Sequence, residues 1–217
     1  GIVGLNELVK RQRGYFLHES EEARRFGQRF IETMKQESDR LSREYGMNFL
    51  LEQSPAESTP YRFARLDLKY FSPEAGRVVR GDIARGEVNY TNSISFDVSA
   101  SVEALEKIRF EGTLHPCIDG EAISHLWLGA RRPSPKQLSD FVTTVFRETG
   151  SRQITFSSDF STCRNCKTTT KGIHRLCPSC GSDDVEGITK ITGYYSKVSS
   201  LNRGKIAELR DKEETVF

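Results

Sequence analysis

Four cysteines stand in two pairs, Cys163-Arg-Asn-Cys166 and Cys177-Pro-Ser-Cys180, with ten residues between the pairs. Thiolates at this spacing close a tetrahedral four-sulfur site. Zinc is the default ion, because it asks for four soft ligands and no redox chemistry. A rubredoxin-like iron site or an iron–sulfur cluster shares the spacing. Four sulfurs leave no open coordination position, so the site is a staple and not a catalyst. His174, between the pairs, then reads as a loop residue. Gly181 after the second pair suits a knuckle, since glycine takes the positive φ that turns backbone amides toward sulfur. The fifth cysteine, Cys117, has no cysteine nearby and reads as a buried or idle thiol.

Beyond the second pair comes Lys190-Ile191-Thr192-Gly193-Tyr194-Tyr195. A glycine inside a β-forming run marks a bulge or a tight bend. Gly193 has a second reading in chemistry. Loss of one hydrogen atom from an α-carbon without a side chain leaves a planar backbone radical, shared between an amide nitrogen and a carbonyl. Such a radical needs a rigid loop that excludes oxygen.

Two further stretches offer polar groups. Ser54-Pro55-Ala56-Glu57-Ser58-Thr59 follows an apolar run. If a helix starts here, Ser58 and Thr59 present backbone amides to phosphate oxygens, and Glu57 can move protons. Ser54 and Glu57 equally fit a Ser-x-x-Glu capping box, which needs no ligand. Asn89-Tyr90-Thr91-Asn92-Ser93 offers two readings: Asn92 and Ser93 stand at a strand end as binding or loop-shaping groups, or they are simply turn residues.

The elements that must position these residues follow from apolar spacing. Residues 20–46 keep a helical period through Phe26, Phe30, Met34, Leu41 and Tyr45, between Ser20 and Gly46 as end signals. A second marked helix covers 134–150, with Leu138, Phe141, Val142, Val145 and Phe146 on one stripe and Gly150 at its end. Shorter helices are predicted after residue 54, at 102–112 and at 201–212. Strands are predicted at 47–53, 89–98, 124–130 and 152–160, and from about Val185. Strands alternating with helices argue for the α/β class with a largely parallel sheet. Residues 72–88 read as a surface loop.

Composition narrows the class. A chain of 217 residues, 36% hydrophobic and 29% charged, can bury a core without disulfides. A net charge of +2, from 32 basic and 30 acidic residues, argues against a nucleic-acid partner. No apolar run approaches the ~20 residues of a membrane span. An odd cysteine count with four grouped points to a reducing, cytoplasmic setting. The start, Gly-Ile-Val-Gly-Leu-Asn, lacks a secretory pattern and reads as a piece of a longer chain.

Taken in order, residues 54–67 (SPAESTPYRFARLD), 89–93 (NYTNS), 125–130 (HLWLGA), 154–166 (ITFSSDFSTCRNC), 177–181 (CPSCG) and 188–211 (ITKITGYYSKVSSLNRGKIAELRD) resemble the class III, oxygen-sensitive anaerobic ribonucleoside-triphosphate reductases. The resemblance implies the C-terminal portion of a ten-stranded α/β barrel of the glycyl radical type. It implies residues 1–160 in the barrel, an inserted zinc ribbon at 161–184, and the radical loop with a C-terminal helix at 185–217. Gly193 matches the radical glycine, although Lys190 stands where Arg is more usual and Thr192 where Cys often stands. Cys163, Cys166, Cys177 and Cys180 match the zinc ligands. Glu57 is implied as catalytic, and Ser58, Thr59 and Asn92 as substrate-binding.

The implied partners are a radical S-adenosylmethionine iron–sulfur activase, a ribonucleoside triphosphate, nucleotide effectors held by upstream parts, and a second copy in a homodimer. Nucleic acid and membrane are not among them. The thiyl cysteine of the family is expected upstream of Gly1, so these residues alone should not turn over. The rival reading is a zinc ribbon that binds nucleic acid through Lys167, Lys171 and Arg175, or a structural module without catalysis.

Overall fold

Helical periodicity governs the start of the chain. In the computed structural model, which describes residues 1–191 and 193–212, helix α1 (Leu5–Arg13) packs against helix α2 (Glu21–Tyr45). Helix α2 realises the predicted 20–46 helix, and Gly46 closes it at φ 62°. Only its first half is core. Ala23, Gly27 and Ile31 are buried, and no residue of α2 beyond Ile31 is. A methyl group at Gly27 would lie 2.8 Å from Leu17 Cδ2, so glycine permits the close approach. Phe30 and Tyr45, predicted in the apolar stripe, are exposed.

Helix α3 (Thr59–Tyr70) leads to an antiparallel hairpin of β1 (Arg80–Asp82) and β2 (Glu87–Asn89). The predicted 72–88 loop therefore contains regular structure. Gly81, at φ 91°, makes it possible, since a side chain there would strike the Glu87 carbonyl. Two predicted strands do not form as such. Residues 47–53 contribute one parallel bridge, Glu52 to Gly120. Residues 89–98 leave the ladder after Asn89, and Ser93 turns the chain at φ 53°. Their backbone groups pair with loops instead: Gly4 N–H donates to Thr91 O at 3.0 Å, and Asp119 N–H to Leu51 O at 2.7 Å. Leu51, Ile94 and Phe96 still join the main core with Leu5, Val9, Leu17 and Ile31. The alternation was a burial signal rather than a strand signal.

Helix α4 (Ala104–Leu114) precedes a βαβ unit made of β3 (Ile123–Gly129), α5 (Pro135–Glu148) and β4 (Gln153–Ser158). Strands β3 and β4 pair in parallel. Ser134 and Gln137 form a complete capping box at the start of α5. Gly150 does not cap its end. It packs under α4, where a Cβ would come 2.6 Å from Gly112 O. Ile108, Leu126 and Val145 form a second core.

The chain then builds one four-stranded sheet from β5 (Phe160–Cys163), β6 (Thr169–Lys171), β7 (Val185–Lys190) and β8 (Tyr195–Lys197), in the order β6-β5-β7-β8. All its pairs are antiparallel. The expectation of a largely parallel sheet thus holds only for β3 and β4. A parallel pair needs a long crossover, which α5 supplies, whereas the later links are short. Helix α6 (Arg203–Asp211), the predicted 201–212 helix, packs on α3 and β2. The fold is mixed α/β, and no closed barrel forms among the described residues. Thr192 and residues 213–217 of the 185–217 segment lie outside the described residues. No helix among the described residues is long and apolar enough to cross a membrane.

Candidate metal centre and glycine-loop site

Cys163 ends β5 and Cys166 lies in the turn to β6, while Cys177 and Cys180 lie in the link before β7. The sulfurs of Cys163 and Cys180 are 3.7 Å apart and those of Cys166 and Cys177 are 3.6 Å apart. All four lie within 4.8 Å of one another. A tetrahedral zinc site with bonds of ~2.3 Å sets its sulfurs about 3.8 Å apart, so the donor set fits the ion. The two pairs adopt the same turn. Lys167 N–H donates to Cys163 O at 3.1 Å, and Gly181 N–H to Cys177 O at 2.9 Å. Gly181 takes the predicted positive φ, 72°, and Lys167 takes 62° at the matching place without being glycine. Hydrogen bonding with Thr168, hydroxyl first and backbone second, draws the Cys166 thiol down to about 6, which favours the thiolate form. His174 is engaged elsewhere, its Nε2 lying 2.7 Å from Lys171 O. Cys117 packs against the main core, and burial raises its thiol pKa.

Strands β7 and β8 pair from Ile188↔Lys197 to Lys190↔Tyr195, so Gly193 sits in the loop at the tip of a hairpin. A Cβ there would meet Pro55 Cβ at 3.4 Å and Glu57 Oε1 at 3.9 Å, both ordinary contacts. Lack of room therefore does not call for glycine at this position. Gly193 N–H donates to Glu57 Oε1 at 3.3 Å, across 136 residues of sequence. Trp127 Nε1 donates to Lys190 O at 3.2 Å and anchors the incoming arm. Ile191 is buried, while Gly193 and Tyr194 are exposed.

The 54–59 turn departs from the expected capping box. Ser54 Oγ donates to Glu52 Oε2 at 3.1 Å, and the helix begins only at Thr59, so the Ser54–Glu57 capping box does not form. Ser58 is the N-cap of α3 without a side-chain cap bond. Glu57, Ser58 and Thr59 thus stand together at a helix start beside the glycine loop. Asn202, the N-cap of α6, donates from Nδ2 to Glu57 O at 3.4 Å.

Asn92 bridges two segments. With its amide oriented to suit its neighbours, its nitrogen donates to Ala56 O at 2.9 Å and its oxygen accepts from Lys205 Nζ at 2.8 Å. Lys205 also pairs with Glu208 at 3.0 and 2.9 Å, and both residues are only 3% exposed. Helix α6 is thereby keyed to the 54–59 turn through Asn92 as well as through its own N-cap Asn202. Asn92→Ala should cost about 1–3 kcal/mol of stability in chemical denaturation, because it leaves the Lys205 ammonium one acceptor short in a buried place. A denaturation midpoint equal to wild type would make the bridge idle. Lys205, Glu208 and Asn202 carry no sequence signature, since charged residues on a short helix ordinarily face water.

A cleft of about 400 Å³ lies between α1 and α3, lined in part by Glu7, Phe63, Asp67 and Tyr90. None of the predicted site residues lines it. Burial lifts the Glu7 carboxyl to about 7, and Thr91 donates only to its Oε1.

The chain matches the family described as anaerobic ribonucleoside-triphosphate reductase over residues 1–214. Over 97% of its length it is 28% identical to the anaerobic ribonucleoside-triphosphate reductase of Salmonella typhimurium and 27% identical to that of Escherichia coli. It spans about 30% of the length of each. Among solved structures it is similar to an anaerobic ribonucleotide reductase, with a TM-score of 0.72 and 24% identity, covering 91% of this chain and 30% of that one. The Thermotoga maritima anaerobic ribonucleotide reductase, solved in complex with dATP and CTP, gives a TM-score of 0.72 and 21% identity, over 98% of this chain and 33% of that one. At these identities the structures bear on the fold alone.

Proposed function

Because the chain belongs to the anaerobic ribonucleoside-triphosphate reductase family, we propose that it forms the radical-bearing C-terminal part of such an enzyme, which reduces ribonucleoside triphosphates to deoxyribonucleotides. On this reading residues 1–160 complete a ten-stranded α/β barrel, 161–184 form the zinc ribbon, and 185–217 form the radical loop and terminal helix. The enzyme works in the cytoplasm as a homodimer, with nucleotide effectors bound by parts beyond these residues.

Gly193 is the radical carrier. An activase with an iron–sulfur cluster and S-adenosylmethionine removes one hydrogen atom from its α-carbon. The radical then takes a hydrogen atom from a cysteine thiol outside these residues, and the thiyl so formed acts on the ribose. Cys117, half-buried against the main core and far in sequence from the family's thiyl block, is not assigned that role. The backbone amides at the start of α3, at Ser58 and Thr59, receive the triphosphate, and Asn92 shapes the loop behind them. Glu57 moves protons at the ribose. The zinc held by Cys163, Cys166, Cys177 and Cys180 is structural, with no open position.

The observation that carries this reading is the contact between Gly193 and Glu57. It sets the glycine beside the one acid of the 54–59 turn. Glu57→Gln keeps an oxygen that accepts the Gly193 N–H but removes the proton carrier. Turnover should fall about 10²–10⁴-fold, while the glycyl radical yield stays at the wild-type level. Loss of radical yield in step with turnover would instead make Glu57 a clasp for the loop.

A further inference from the structure

We propose that Glu186 is a positioning residue that couples the four-cysteine centre to the glycine loop, by tying both arms of the β7–β8 hairpin to the first cysteine knuckle. The proposal rests on the reading of Gly193 given above.

Glu186 lies on β7, is 8% exposed, and stands opposite Thr162 of β5. The β7–β8 ladder stops at Ile188↔Lys197. Continuing that register would set Glu186 opposite Ser199, in the turn Val198–Ser200 that follows β8. The Glu186 carboxylate takes the place of the missing rungs. Ser199 N–H donates to Oε1 at 3.3 Å, and Ser199 Oγ donates to Oε2 at 2.7 Å. From the other side, Arg164 Nη2 donates to Oε2 at 2.8 Å. Arg164 stands between Cys163 and Cys166, and its backbone N–H donates to Asp184 O at 2.9 Å, just ahead of β7. One carboxylate thus joins the knuckle, the strand that enters the loop and the turn that leaves it. Charge-assisted bonds of this kind are the stronger and more directional ones.

The apolar side of the same junction makes the same connection. A Cβ at Gly187 would come 2.8 Å from Val198 Cγ2 and 3.3 Å from Ile173 Cδ1. Ile173 belongs to the link between the cysteine pairs, and Val198 to the turn after β8. The metal orders the knuckle, the knuckle orients Arg164, and Arg164 with Ser199 fixes Glu186. The hairpin then presents Gly193 beside Glu57.

The test compares wild type, Glu186→Ala and Arg164→Ala in the metal-loaded protein, by hydrogen exchange over residues 187–199 before and after chelation. Metal content per chain is measured alongside. Both variants should keep the wild-type metal content, since all four thiols remain. Glu186→Ala should exchange the hairpin amides about tenfold faster than wild type even with metal bound. Arg164→Ala keeps the clasp between Glu186 and Ser199, so its metal-bound hairpin should stay near wild type. In both variants chelation should change hairpin exchange far less than it does in wild type. Unchanged exchange in Glu186→Ala, a wild-type response to chelation in either variant, or metal loss from Glu186→Ala would overturn the proposal. If Glu186→Ala does not fold, Arg164→Ala alone decides through its response to chelation. A wild-type protein that forms no glycyl radical on activation would remove the reading of Gly193 and leave this comparison standing. A failed comparison with the radical present would remove only the role of Glu186.

Discussion

Gly193→Ala is expected to abolish nucleotide reduction and the glycyl radical signal while leaving the fold close to wild type. The structural half of this result follows from local geometry. An added methyl group at Gly193 meets Pro55 at 3.4 Å and Glu57 at 3.9 Å. No steric clash arises, so the stability change should stay within about 0.5–1 kcal/mol. The chemical half follows from the α-carbon. A side chain hinders the planar arrangement that delocalises the unpaired electron, and alanine also lacks the second α-hydrogen. The measurements are electron paramagnetic resonance on the activated enzyme, and mass spectrometry after exposure to oxygen. Wild type should be cut at this residue, releasing a piece that starts near Tyr194, and the variant should stay intact. A radical that survives the substitution, or oxygen cleavage elsewhere in the chain, would place the radical on another residue.

The second large effect is expected for Cys177→Ser. Cys177 is buried, and its sulfur lies 3.6 Å from that of Cys166. A serine hydroxyl is a poor replacement for a thiolate on zinc, and structural zinc binding contributes on the order of 10 kcal/mol or more to its local fold. The variant should lose its metal. Hydrogen exchange should rise across 163–198, because β5 ends on a ligand and the same cysteine knuckle holds Glu186 of β7 through Arg164. Helix α5 should keep its protection, since Val145 packs with Ile108 and Leu126 in a core that contains none of the clustered cysteines. Metal analysis of the wild type should give about one zinc per chain. Iron in place of zinc, or a disulfide between Cys163 and Cys166, would sink the structural-zinc reading. A loss of α5 protection equal to that of the sheet would show that the clip holds the whole chain.

What could be read from the residues alone was what neighbouring residues decide. The two Cys-x-x-Cys turns form because each needs only its own few residues and a positive φ, at Gly181 as predicted and at Lys167. Helices α2 and α5 obey their 3.6-residue spacing, and Ser134 with Gln137 caps α5 from within one turn. The family likeness rested on the same local blocks. Tertiary structure decided the rest, because it depends on which distant loops close together, and loop closure is only weakly written in local sequence. Ser54 and Glu57 had the spacing of a capping box, yet Glu57 turned to Gly193. The alternating run at 89–98 became a loop, because residues 3–5 and Glu7 claimed its backbone groups. Lys205 and Glu208 are buried on a short helix as a pair, with Asn92 accepting from Lys205 under the 54–59 turn. The glycine itself was visible in the sequence. That the space around it does not require glycine was visible only once the hairpin was folded against Pro55 and Glu57.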